Sequence, residues 1–304
     1  MSARIALSTL VMVAAATFPS PRPVQAGAWG LAPGEWYANI EGSAFSSTTL
    51  HLASGSRADT GLVVEQRALV SANELGWKHG ITLLFALPAV SVTRRDAGVQ
   101  GTATGFQDVR LGARCNLVNG STGMAVELDW SGPAGYNRRL DSLGLALGDG
   151  LQELSAGIAL GTAVGGHVFV EGSIGYGYRY LSIGKREKGP VPSGDQHLGR
   201  FRWADHVLAS ADLGYWMGPS VMIGGRYRGM LSLSSGPLEQ ESDAHLAGPV
   251  FLYRVDDRLD MFAGSWSTAA GKNTLHFDQV YVGVAFHKTK LNRLQGFLGG
   301  KQAP

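Results

Sequence analysis

Apolar and polar residues alternate with period two along most of this chain, the pattern of a strand with two unlike faces. From Asp108 to Val118, Val109, Leu111, Ala113, Cys115 and Leu117 share one face. Asp108, Arg110, Gly112, Arg114 and Asn116 share the other. Met124, Val126, Leu128 and Trp130 oppose Ala125, Glu127, Asp129 and Ser131. Val168, Val170, Ile174, Tyr176, Tyr178 and Tyr180 oppose Glu171, Ser173, Gly175, Gly177 and Arg179. Val207, Ala209, Ala211, Leu213 and Tyr215 oppose Ser210, Asp212 and Gly214.

The pattern predicts about 12 strands of about 10 to 14 residues, long for a soluble sheet but suited to a tilted strand crossing a membrane. They begin near Glu35, Leu62, Ile81, Phe106, Met124, Leu151, His167, His206, Val221, His245, Leu259 and Asp278. Short connections at Lys78–Gly80, Asn119–Thr122, Gly165–Gly166, Gly218–Ser220 and Asp256–Arg258 alternate with longer polar ones. The longer ones are Ser46–Thr60, Thr93–Gly105, Gly132–Gly150, Ser182–Asp205, Ser232–Asp243 and Ser267–Leu275. Strict alternation of short and long connections is the habit of an up-and-down outer-membrane barrel. A soluble β-sandwich or lipocalin-like barrel shares the period but has no reason to sort its loops by length.

The first 26 residues read as an export signal, with Arg4 as the basic end, Ile5–Phe18 as the apolar stretch and Val24-Gln25-Ala26 as a small-x-small cleavage site. After Ala26 no apolar run is long enough for a membrane helix. The expected organisation is a signal peptide over 1–26, a barrel over 27–287 and a periplasmic tail over 288–304, in the outer membrane of a Gram-negative bacterium. The segment between Ala26 and the first strand is too short for an N-terminal plug. Any occlusion is expected from inward-folded loops, Gly132–Gly150 or Ser182–Asp205.

Composition narrows the function classes. Gly is abundant at 43 residues with no Gly-X-Y period, so collagen is excluded, and 44% hydrophobic with 16% charged residues argues against disorder. A formal net charge of +2 and the lack of a basic stripe argue against nucleic acid. Cys115 is the one cysteine, too few for a disulfide and too far from the N-terminus for a lipoprotein anchor. The expected partners are outer-membrane lipid, the outer-membrane assembly machinery and a small-molecule solute. No cofactor or metal is indicated.

In a barrel the apolar face meets lipid and the opposite face lines the lumen. Trp77, Tyr215 and Trp216 beside short turns, and Trp130, Tyr180 and Trp203 near long connections, suit interfacial girdles. The lumen candidates are Glu41, Asp108, Arg110, Arg114, Glu127, Asp129, Glu153, Glu171, Arg179, Asp212, Arg226 and Arg228. Counting outward from the tight turns sets Asp212 against Arg226, Arg114 against Glu127, and Glu153 opposite or diagonal to Arg179. Opposite charges facing across strands favour that register. They suit either a polar constriction that selects solutes or an ion-pair network that fills and stiffens the barrel.

Several stretches resemble the outer-membrane family associated with the meta-pathway of phenol degradation, related in outline to fatty-acid-transporter-type barrels. Glu74-Leu75-Gly76-Trp77-Lys78-His79-Gly80-Ile81-Thr82-Leu83-Leu84-Phe85-Ala86-Leu87-Pro88 is similar to its Glu, turn and strand ending in Leu-Pro. Gly105-Phe106-Gln107-Asp108-Val109-Arg110-Leu111-Gly112 resembles its Gly-x-x-Asp-Val-x-Leu-Gly strand. Leu147-Gly148-Asp149-Gly150 and Gly271-Lys272-Asn273-Thr274 resemble further motifs. The family's Pro-Thr-Gly stands here as Gly132-Pro133-Ala134-Gly135, and the chain continues beyond Phe286, where members end on an aromatic residue. The resemblance implies a barrel that takes up small, hydrophobic or aromatic compounds.

No catalytic residue is assigned. The eight histidines make no His-x-x-x-His or His-Glu-x-x-His pair, and no Gly-x-Ser-x-Gly elbow occurs. An outer-membrane lipid-modifying enzyme would set Ser, His and an acid on the wall, with His206 beside Ser210 or His245 near Asp243 as candidates. The remaining alternative is a structural or adhesive barrel with a filled lumen.

Overall fold

A computed structural model describes residues 27–96, 99–134, 147, 151–181, 202–233, 239–240 and 242–288. Its strands are β1 (Trp36–His51), β2 (Arg57–Gly76), β3 (Ile81–Asp96), β4 (Val99–Phe106), β5 (Asp108–Val118), β6 (Thr122–Pro133), β7 (Leu151–Val164) and β8 (Val168–Leu181). They continue as β9 (Arg202–Trp203), β10 (Asp205–Trp216), β11 (Val221–Leu233), β12 (Glu239–Gln240), β13 (Asp243–Arg254), β14 (Leu259–Lys272) and β15 (Thr274–Lys288). Neighbours pair antiparallel in chain order, and β1 pairs both β2 and β15, so the sheet closes on itself. Closure leaves no strand edge unpaired, which a hydrocarbon solvent demands.

The wall has twelve strands because β4 and β5 occupy one position. Both pair with β3, but Ala89 faces Phe106 while Ala86 faces Arg110. The five residues Phe106 to Arg110 thus oppose the four residues Ala86 to Ala89. The extra residue at Gln107 is a bulge, and its N–H donates to the Pro88 carbonyl at 2.9 Å. The two-residue strands β9 and β12 form a separate parallel pair.

The side chains are distributed inside out relative to a soluble sheet. Val280, Val282 and Ile174 are 63%, 64% and 62% exposed, whereas Arg114 and Glu41 are each 1% exposed. Branched apolar groups left outside while guanidinium and carboxyl groups are withdrawn would be costly in water. The arrangement is favourable when the outer face meets lipid. The fold is therefore the expected all-β transmembrane up-and-down barrel.

Three of the connections expected as long loops are mostly ladder. Strands β1 and β2 pair out to His51 opposite Arg57, and β3 pairs β4 out to Asp96 opposite Val99. Strands β14 and β15 are separated only by Asn273, at φ 49°. Extended hairpins thus replace the loops expected over Ser46–Thr60, Thr93–Gly105 and Ser267–Leu275. Most of Gly132–Gly150 and Ser182–Asp205, and the middle of Ser232–Asp243, lie outside the described residues. The short connections are tight turns, with His79 and Gly80 at φ 61° and 74° and Gly165 and Gly166 at φ 59° and 74°.

The N-terminal segment overturns a second expectation. Residues Gly27 to Leu31 enter the barrel at its short-turn end and lie against β2, β3 and β5 to β8. The Leu31 N–H donates to Thr82 Oγ1 at 3.0 Å, the Trp29 indole donates to the Gly120 carbonyl at 3.1 Å, and Asn116 Nδ2 donates to the Ala28 carbonyl at 3.2 Å. Ala28 is fully buried. The Trp29 ring lies over Gly123 and Gly161, where any side chain would occupy its seat. So short a segment suffices because it runs across the mouth rather than filling the barrel's length.

Candidate lumen site

All twelve charged residues singled out from the sequence stand on strands of the wall, and pairing brings most of them together. Register places Arg114 opposite Glu127, Asp212 opposite Arg226 and Glu153 opposite Arg179. In the first group Arg110 contacts Glu127 at 2.8 Å and Asp129 at 2.5 Å, and Arg114 contacts Glu127 at 2.9 Å. Arg114 also reaches across the lumen face to Glu74 at 3.1 Å. Glu74 was read from the sequence only as part of a family motif, because it lies on a strand far along the chain from Arg114.

In the second group Asp212 is held by Arg226 at 3.1 Å and Arg228 at 2.8 Å. Both guanidinium groups lie over the Trp266 ring, at 5.1 and 5.7 Å from its centroid, a cation–π arrangement. Arg226 also donates to the Tyr281 hydroxyl at 3.4 Å. In the third group Glu153 pairs with Arg179 and His206, each at 3.3 Å. Glu41 and Glu171 stand apart on the lumen face of β1 and β8, with no ion-pair partner among the described residues. Asp108 opens β5 opposite Pro133.

The side-chain groups converge on very little free space. Gly27, Arg114, Glu127, Asp129, Glu171, Asp212 and Arg228 border a cavity of about 40 Å³, close to one water's share of liquid volume.

The lumen has a second lining that the charge pattern did not disclose. Inward residues of β14, β15 and β1 form an aromatic strip along the barrel axis. Phe262 and Trp266 each pack on Tyr281, with centroids 6.4 and 6.2 Å apart, and Phe277 stacks on Phe45 at 4.6 Å. Leu50 and Leu275 continue it toward the long-connection end, where Leu62, Val64, Val90, Val92 and Leu246 join the same buried apolar cluster. Leu147, from the connection between β6 and β7, packs against this cluster. Alternation on β14 and β15 gave the signal, since Phe262, Trp266, Phe277 and Tyr281 sit on the face opposite the lipid-facing Met261, Val280 and Val282.

The paired residues considered for hydrolysis do not form. Ser210 bonds Ser173 at 2.5 Å while His206 turns to Glu153. His245 bonds the Tyr227 hydroxyl at 2.7 Å, and Asp243 receives the Ser232 N–H at 2.8 Å. Among the described residues no cluster of three or more His, Cys, Asp or Glu could hold a metal.

No protein-family model matches the chain, and no curated protein sequence matches it. Among solved structures the chain is similar to a COG4313 outer membrane channel from Pseudomonas putida F1. The two share 13% identity at a TM-score of 0.68, over 88% of this chain and 100% of that one. The NanC porin (10% identity, TM-score 0.49, 82% of this chain and 98% of that one) is a more distant likeness. So is the CymD monoaromatic hydrocarbon channel (9% identity, TM-score 0.43, 85% and 89%). The first likeness is one of fold, that of an outer-membrane barrel. The resemblance to the phenol-degradation family thus has support at the level of architecture and none from family models.

Proposed function

We propose that this protein is an outer-membrane channel for small apolar molecules, with aromatic compounds as the best-fitting class. The observation that carries this reading is the aromatic strip from Phe262 through Trp266, Tyr281 and Phe277 to Phe45. A pore for small ions gains nothing from phenyl rings packed along its wall. These rings are packed on one another and closed to water, so an apolar solute entering from the long-connection end parts them and is covered by them, at about 25 cal/mol per Å² of apolar area removed from water. It then meets the ion-pair groups, which act as a polar constriction narrowed by the N-terminal segment. Passage requires that segment to withdraw, because it is seated across the short-turn end with Ala28 wholly buried and Trp29, Leu31 and Asn116 tying it to the wall.

The test uses liposomes for uptake of labelled small aromatic solutes and planar bilayers for ion conductance. Removal of residues 27–31 is expected to raise both. Phe277→Ala in that background is expected to slow aromatic uptake severalfold while leaving ion conductance within about twofold, since the ring contributes surface to the solute and none to ions. Asp212→Ala and Glu127→Ala are expected to change ion selectivity. A barrel that stays impermeable after removal of residues 27–31 would overturn the channel reading.

A further inference from the structure

The segment that blocks the short-turn end begins where the export signal is expected to be cut. Hydrolysis of the Ala26–Gly27 amide leaves a carboxylate on the departing Ala26 and an α-amine on Gly27. That amine has an ordinary pKa of about 7.7–8.0 and so is largely protonated at neutral pH. Its position follows from the packing of Gly27. The Glu171 carboxylate occupies the place where a Cβ on Gly27 would stand, so the Gly27 nitrogen, two bonds from that place, falls in ion-pair range. The neighbouring Ala28 N–H donates to the same carboxylate.

Glu171 is the acid best suited to receive it. Arg110 and Arg114 are taken by Glu74, Glu127 and Asp129, and Arg226 and Arg228 by Asp212. Among the described residues no Lys, Arg or His side chain pairs with Glu171. We propose that the α-ammonium created by signal cleavage docks on Glu171 and latches the N-terminal segment in the barrel mouth. Export processing itself thus completes the closed state, and the uncleaved chain lacks the cation that locks it. A side chain at the tip would meet the Glu171 carboxylate and push it aside, so Gly27 lets the terminus approach without a shift. The latch rests on cleavage after Ala26 and not on which solute the channel carries.

Intact mass of the protein purified from outer membranes comes first, and a mature chain that begins at any residue other than Gly27 overturns the proposal. Aminopeptidase digestion in detergent then reads whether the terminus is sheltered. Wild type is expected to resist trimming, and Glu171→Gln, which keeps the shape and removes the charge, to be trimmed at least tenfold faster. Inserting one Ala between Ala26 and Gly27 shifts the ammonium and is expected to have the same effect with Glu171 intact. Trp29→Ala serves as the positive control, because it removes the indole anchor whatever the state of the terminus. Heat-modifiable mobility on gels confirms that each variant is a folded barrel. Trimming of Trp29→Ala together with full resistance of Glu171→Gln would show that the segment is held without the ion pair and would overturn the latch. These readouts do not involve solute, so a channel that proves selective for something other than aromatics leaves the result intact.

Discussion

The two sides of the lumen differ in what holds them. Along β5 to β11 the inward positions carry Arg110, Arg114, Glu127, Asp129, Glu153, Arg179, Asp212, Arg226 and Arg228, satisfied by one another across neighbouring strands. Along β13 to β15 and β1 to β3 they carry, besides the acids Glu41, Glu74 and Asp260, the residues Leu246, Phe262, Trp266, Phe277, Phe45, Val64 and Val90, packed in one apolar cluster. The N-terminal segment seats on β2, β3 and β5 to β8, largely on the charged side, while the aromatic strip lies on the other. The charged side therefore holds the segment that crosses the mouth, and under the proposed function the other side is the one that guides an apolar solute. Arg226 and Arg228 join the two by resting on Trp266. The comparison makes opposite demands on substitution. Charges should fail as pairs and rings should fail by area.

The largest expected effect is on the charged side. Glu127 receives both Arg110 and Arg114, and Arg114 is almost wholly buried. Glu127→Ala leaves these guanidinium groups short of countercharge and is expected to destabilise the barrel by about 3–5 kcal/mol. Urea unfolding in lipid vesicles checks this. If Glu127→Ala and an exposed change such as Glu65→Ala destabilise equally, the lumen network is not what holds this side.

The charged side was also the more legible one. Alternation over Asp108–Val118 and Met124–Ser131 fixed which face each residue takes, and counting from the Gly120–Ser121 turn placed Arg114 on Glu127. Longer reach defeated the same reasoning. Glu74 meets Arg114 across two sheet neighbours, a relation that turn counting on one hairpin does not touch. The hairpins beyond Ser46 and Thr93 read as loops because residues such as Ser47, Thr49, Thr93 and Arg94 are polar on both faces. Strand pairing there rests on backbone hydrogen bonds, which composition does not reveal. Gly27 to Leu31 carries no period, so its seat could be found only from the wall that receives it.

On the apolar side the next effect is smaller. Phe277 stacks on Phe45 and is almost fully buried. Phe277→Ala is expected to cost about 3 kcal/mol, the lower end for a buried phenyl group, because a lumen-side cavity can relax or hydrate. Phe277→Leu should recover more than half of that in the same unfolding measurement. Recovery by Leu together with loss of aromatic uptake would separate ring recognition from simple bulk. Equal losses for Ala and Leu would point to stacking geometry as the stabilising element.

A bulkier wall under the segment tests the division between the sides directly. Gly161 lies beneath the Trp29 ring, and a side chain there meets it. Gly161→Val is expected to unseat Trp29 at a cost of about 1–3 kcal/mol, in the range of overpacked interiors. Single-channel recordings should then show longer open periods with the unfolding midpoint nearly unchanged. An unfolding midpoint that falls with unaltered gating would mean that the segment repacks around the new side chain and stays seated.

The most local effect comes from a single hydrogen bond at the root of that segment. The buried Leu31 N–H has Thr82 Oγ1 as its acceptor, at 3.0 Å, and Thr82 is itself fully buried at the start of β3. Thr82→Val preserves the shape and removes the acceptor, leaving one amide unsatisfied at a cost of about 1–3 kcal/mol in the seated state. When the segment withdraws, that amide regains water, so the penalty falls on the closed state alone. Each 1.4 kcal/mol moves the closed-to-open ratio about tenfold, which single-channel open probability reads directly. Thr82→Ser, which keeps the hydroxyl, is expected to restore wild-type gating. If Val and Ser gate alike, Leu31 is held by burial of its side chain and the segment's grip on β3 is apolar.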